Sequence, residues 1–149
     1  MDGSIAFEPI QTQAVFGLHS CKPVVDLEKG EGPSILADYA YNGIATRGDY
    51  LKEHREEARR LVAAIVDAER IINDEHNLDR MTEVAGEAMR GIDRDALRQY
   101  LKTYSKIFRP AMTKTAFANV NQVLVEAGMI KRPIPYEAAT DIDLMPTGL

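Results

Sequence analysis

The sequence predicts an α/β chain that is rich in helix and carries a small partial sheet. Three observations point there. Short apolar runs at 4–7, 23–27 and 41–46 are broken by Gly and Pro, as short strands are. The stretch that follows Gly48 runs to residue 75 without another Gly or a Pro. Within it apolar residues recur at steps of three and four, the period of a helix with one buried face.

Taken in chain order, Ser4-Ile-Ala-Phe7 reads as a strand that ends on Glu8-Pro9. Gln11 to Leu18 has room for one or two helical turns, and 28–34, "EKGEGPS", is a turn-rich connection. Residues 39–46, "YAYNGIAT", mix aromatic and β-branched residues as a mostly buried strand does. A long helix is expected over 48–75, capped by Asp49, with 58, 61, 62, 65, 68 and 72 as its buried stripe. Further helices are expected at about 78–90, stopped by Gly91, at 93–104, capped by Asp93, and at 113–127. The last is capped by Thr113, turns Phe117, Val120, Val123 and Leu124 inward, and stops at Gly128. The tail after 130 holds three prolines, lacks a helical period, and reads as an extended strap or a partly disordered segment.

Composition narrows the function. A chain of 149 residues fits one domain with a working core, and 45% apolar with 28% charged residues is ordinary for a globular protein. No apolar run approaches the roughly 18–20 residues of a membrane span, and no basic-then-apolar leader is visible. A net charge of −5 argues against a general nucleic-acid or anionic-membrane surface. The lone Cys21 has no partner for a disulfide or a CxxC site and reads as a buried or half-buried thiol. His19, His54 and His76 are scattered, outside any metal-ligand spacing, so no metal is expected. Phosphate-loop, GxSxG and GxGxxG patterns are missing, and the acidic residues fall mainly on exposed helix faces. Nothing reads as catalysis, so neither an enzyme nor a cofactor is expected.

Candidate binding groups can be named even so. A carboxylate at a strand's end, fixed by a proline, is a common way to aim a polar group into a cleft, which makes Glu8 a candidate. Its ordinary reading is a turn-fixing acid. Gln11 and Gln13 follow in a loop-to-helix region, where a helix start favours an anion. Tyr41 and Asn42 could offer hydroxyl and amide groups to a small ligand, or belong to a core strand with one satisfied tyrosine.

The ordered series Asp2-Gly3, Glu8-Pro9, Asp26, Arg47-Gly48-Asp49-Tyr50-Leu51 and Ala63-Ala64 with Ala68-Glu69 resembles the periplasmic substrate-binding proteins of ABC importers. The resemblance is to the nitrate, taurine, alkanesulfonate and thiamine-precursor group, and it covers residues 2 to about 127. One departure is Arg55, where that family often begins its long helix with a proline. The resemblance implies the C-terminal part of a two-lobed, type II binding protein that clamps its ligand by hinge closure. Residues 1–34 would then be a remnant of the second lobe, 35–130 the helical part of the first, and 131–149 an extended C-terminal tail.

The resemblance also implies a truncated chain with an incomplete cleft, Met1 standing where the family has an interior residue. Glu8 and Gln11 would line the second-lobe rim and Tyr41 and Asn42 the hinge. The implied partners are a small anion or heterocyclic precursor and, for the full-length protein, an ABC permease. The implied location is the periplasm, or the cell exterior as a lipoprotein. Thiamine-pyrimidine synthases belong to the related family, but their motifs are not found here. The alternative is a stand-alone helical interaction or oligomerisation module, self-associating through apolar surface that a missing lobe would otherwise cover.

Overall fold

Asp93 and Thr113 each stand one residue before a helix and close its first turn with the side chain. Asp93 Oδ1 accepts the Asp95 and Ala96 N–H groups, both at 3.0 Å, and Thr113 Oγ1 accepts that of Ala116 at 2.9 Å. The computed structural model describes residues 3–145. Its helices are α1 (Ile10–Thr12), running on into a wide π turn at Gln13–Gly17, α2 (Gly48–Glu53), α3 (Arg55–Asn73), α4 (Leu78–Ala88), α5 (Arg94–Tyr104), α6 (Lys114–Glu126) and α7 (Tyr136–Ala139). Gly128, at φ +70°, ends α6 as expected. The Met129 N–H returns to the Leu124 carbonyl and the Gly128 N–H to that of Val125, the paired bonds of a Schellman stop.

The expected partial sheet is absent: the described residues contain no β-strand, so the α/β assignment is corrected to a helical one. The three runs have strand-like composition, but such composition records how well a residue fits a pleated surface supplied by neighbours. Here no neighbour is supplied. Ile5 is 92% and Val24 94% exposed, Leu27 opens a 3-10 turn (Leu27–Lys29), and 41–46 is exposed throughout. The two-lobed binding-protein architecture loses its sheet with them. Met1 and Asp2, the start of the ordered series, lie outside the described residues.

Smaller corrections have equally local causes. The helix expected over 48–75 breaks at His54, which leaves helical geometry at φ −121°, ψ 35°. Asp49 is not the cap of α2; Arg47 holds that position and Asp49 lies in the first turn. Its carboxylate accepts from the Tyr50 N–H and pairs with Arg47 at 2.5 Å. On α3, Leu61 and Ala68 of the expected stripe are exposed and Val66 is the buried residue. Cys21 is exposed, because residues 19–25 carry no element that could cover it. The tail carries α7 and a 3-10 turn at Ile142–Leu144 instead of running extended throughout.

The chain divides into two compact units, and the division falls within α3. One comprises the residues up to Asp26 together with Glu69–Phe108. Its core is α5, whose Ala96, Leu97, Leu101 and Tyr104 are buried, packed by α4 and α1 with Thr82 and Thr12. Burying a Leu such as Leu97 fully, as here, is worth about 1.5–3 kcal/mol. Two side chains tie the N-terminal segment to α5. Asp93 N–H donates to Gln13 Oε1 at 2.9 Å, and Tyr104 Oη donates to the buried Asp26 carboxylate at 2.6 Å.

The other unit comprises Leu27–Ala68 and the residues from Arg109 onward. Asp38 anchors its first loop at the start of α6: Arg109 and the Thr113 hydroxyl reach its carboxylate, and Asn119 Nδ2 donates to its carbonyl at 2.7 Å. Arg55 grips the tail with a forked pair to Asp141 at 2.8 and 3.1 Å and a further bond to Asp143 at 3.2 Å. The Arg55 guanidinium holds the Asp141 carboxyl below its usual range.

Two outcomes follow from these contacts. Tyr104→Phe keeps the ring in the core but removes the donor to Asp26. We expect a loss of about 1.5–3 kcal/mol in urea unfolding, the range for a bond to a charged group. For the tail, the sign is set by Asp141, whose folded pKa is depressed. Its contribution is complete above the unfolded value, near 3.9, and vanishes as pH falls through the folded one. The stability gap between the parent and Arg55→Met should therefore be constant from pH 7 to 5 and close below about pH 4. A gap that does not narrow at all as pH falls from 4 to 2.5 would mean that the pair is not what Arg55 contributes.

Candidate functional site

Glu8 and Gln11 lie at the beginning of α1, in the unit built on α5, and Tyr41 and Asn42 lie in the other unit. Glu8, joined to Pro9 by a cis bond, is half-buried. Its Oε2 accepts the Thr12 N–H at 3.1 Å, while Oε1 is buried without a hydrogen-bond partner. Thus Glu8 closes the turn of α1, which is the ordinary reading of a turn-fixing acid. Gln11 is half-buried beside it, and α1 is too short to act as an anion site. Gln13, its companion in sequence, is engaged with α5. Tyr41 is 57% exposed with its ring tilted on Tyr39 at 5.0 Å between centroids, and Asn42 is exposed.

A cluster of titratable groups marks the break between α2 and α3. The Tyr50 ring stacks on His54 at 4.2 Å, His54 Nδ1 lies 3.3 Å from Glu57 Oε1, and Tyr50 Oη donates to Glu57 Oε2 at 3.2 Å. His54 and Tyr50 hold the Glu57 carboxyl below its usual range, and Glu57 in turn raises the Tyr50 hydroxyl. Glu57 itself is well exposed, so the cluster fastens a helix junction in water and encloses no reacting space. Among the described residues no group of three or more His, Cys, Asp or Glu side chains is placed to hold a metal ion. None of their helices is long and apolar enough to cross a membrane.

In the unit that holds α6, a groove of about 450 Å³ lies between α6 and the strap 133–136. Its walls are apolar: Phe117, Ala118 and Val125 from the helix, Pro133, Ile134 and Tyr136 from the strap. Asn121 sets the distance between them. It is 6% exposed, its Nδ2 donates to the Ile134 carbonyl at 3.0 Å, and its Oδ1 accepts the Ile134 N–H at 2.8 Å. Tyr136 packs edge-on against Phe117 at 5.5 Å and donates its hydroxyl to the Met112 carbonyl at 2.7 Å. Lys114 stands over the Tyr136 ring and bonds Glu137 at 2.6 Å, which raises the Lys114 ammonium and lowers the Glu137 carboxyl. Lys114, Gln122 and Glu126 supply the polar rim.

Sequence reasoning placed Phe117 on the inner face of its helix but did not find the groove. The signal that could have found it is Asn121, a polar residue on an otherwise apolar helix face, followed at 133–135 by Pro-Ile-Pro. An X-Pro run cannot satisfy its own backbone by helix or ladder, and a nearby buried amide is the natural partner. Compared with models of known families, with curated proteins and with solved structures, the chain finds no match in any of the three.

Proposed function

We propose that the chain is a helical interaction module that docks a protein surface through its exposed apolar groove and binds no small molecule. The observation that carries this reading is the groove beside α6, apolar in its walls and polar only at its rim. Contiguous exposed apolar surface with a polar border marks interaction sites, and aromatic residues such as Phe117 and Tyr136 are typical anchors. A solute site needs a few convergent polar groups to orient its ligand. The polar group at the groove's base, Asn121, is engaged by Ile134. Further large apolar side chains stand in water nearby in sequence, Met129 at 73% exposure among them.

The importer reading, a solute-binding component for a small anion or heterocyclic precursor, rests on the ordered sequence series alone. Calorimetric titration of the chain with nitrate, taurine and a pyrimidine precursor tests it, and weak or absent binding is the expected result. Micromolar affinity for any of the three would displace the interaction reading.

The interaction reading has its own test. The purified chain should bind a hydrophobic-surface dye, and light scattering should show association with itself or with an added partner. A monodisperse monomer that leaves the dye unbound would sink it.

A further inference from the structure

We infer that the groove's occupant is a second copy of this chain, packed antiparallel with α6 against α6 about a two-fold axis near Val120. This deepens the interaction reading and rests on it. Lys114, Phe117, Ala118, Asn121, Gln122, Val125 and Glu126 all border the groove, so one side of α6 faces it along the helix's whole length. The two charges stand at opposite ends, ~18 Å apart at 1.5 Å per residue. Both are set against their own helix: a cation in the first turn and an anion in the last are each unfavourable to the dipole. Lys114 is partly compensated by Glu137. Glu126 accepts from the Gln122 amide and has no ion-pair partner among the described residues.

A two-fold axis across the middle of α6 resolves both. It brings Lys114 of each copy to Glu126 of the other, and it does so twice, since an isologous interface repeats every contact. A parallel arrangement would put Lys114 against Lys114. The Lys114 ammonium has three N–H donors, so it can keep Glu137 and take a second carboxylate. Near the axis stands Ala118, exposed and small enough for two helices to approach closely, and it meets Gln122 of the other copy. Phe117, Val125 and Ile134 of the two copies then cover one another, burying the groove that each leaves open alone.

The test uses the whole chain and analytical ultracentrifugation, with helicity checked by circular dichroism. The parent chain should dimerise. Lys114→Glu and Glu126→Lys, each alone, place like charges together twice and should weaken the dimer about tenfold or more. An equimolar mixture of the two variants should recover it as a heterodimer, because both cross-pairs are again of opposite sign. Ala118→Arg, at an exposed position, should abolish dimerisation with helicity intact. Three results would each overturn the inference: a mixture no tighter than its components, single variants as tight as the parent, or an Ala118→Arg chain that still dimerises. A parent that is monomeric yet binds the hydrophobic dye overturns the dimer and leaves the interaction reading standing. A monomer without dye binding removes both.

Discussion

Asn121 holds Ile134 by both of its backbone groups, at 3.0 and 2.8 Å, from a position that is itself buried. The pair answers a constraint that runs through the whole chain. Backbone N–H and C=O groups removed from water need partners, and among the described residues no strand ladder is available to supply them. Side-chain amides supply several of them. Asn119 serves the Asp38 carbonyl, Asn73 serves that of Phe108, and Gln13 accepts the first free N–H at the start of α5. Each joins an irregular segment to a helix. Replacing such a residue by an apolar one of equal size would leave the segment's backbone desolvated and unpaired, a cost of about 1–3 kcal/mol per group.

The same economy of secondary structure limits the core. The buried apolar side chains belong mainly to α5, with Val66 and Ala116 in the other unit, and two of those in α5 and α6 are alanines. Alanine adds little transfer free energy compared with leucine. Cohesion therefore leans on polar bonds between distant parts of the chain, Tyr104 to Asp26 and Arg55 to Asp141. Meanwhile much of the apolar surface stays in water, from Ile5 to Met129. A chain built this way gains more from a partner than one that buries its apolar residues within itself, because the transfer term is still unspent.

How much of this was readable depended on the range of the interaction. Asp93, Thr113 and Gly128 act within one helical turn, so their roles follow from spacing, and the structure keeps them. The three strand-like runs did not survive, because a strand is completed by a neighbour far away in sequence. Ser4 to Phe7 has the composition and lacks the neighbour. Glu8 was legible as a turn former, one oxygen of its carboxylate being drawn back to Thr12. His54 breaks a run whose period is continuous on either side, and the aromatic stack that accompanies the break is invisible to hydrophobic pattern. Asn121 was the least legible of all: in a helix it reads as neutral, and its meaning depends on the strap that follows α6.

That strap ties the groove to the integrity of the tail. Pro133, Ile134 and Tyr136 form one wall of the groove and are fixed at three places: by Asn121, by Lys114 with Glu137, and by Arg55 with Asp141 and Asp143. Of the last two, the Lys114–Glu137 pair is exposed and the Arg55–Asp141 pair only part-buried, so both are weak and open to screening by salt. The first is buried and carries the position of the wall. Loosening the tail would open the groove by withdrawing one side of it, and filling the groove would hold the tail in place. Binding energy at the groove and folding energy of the tail are then one linked quantity: whatever binds the assembled wall and not the loosened one stabilises both together.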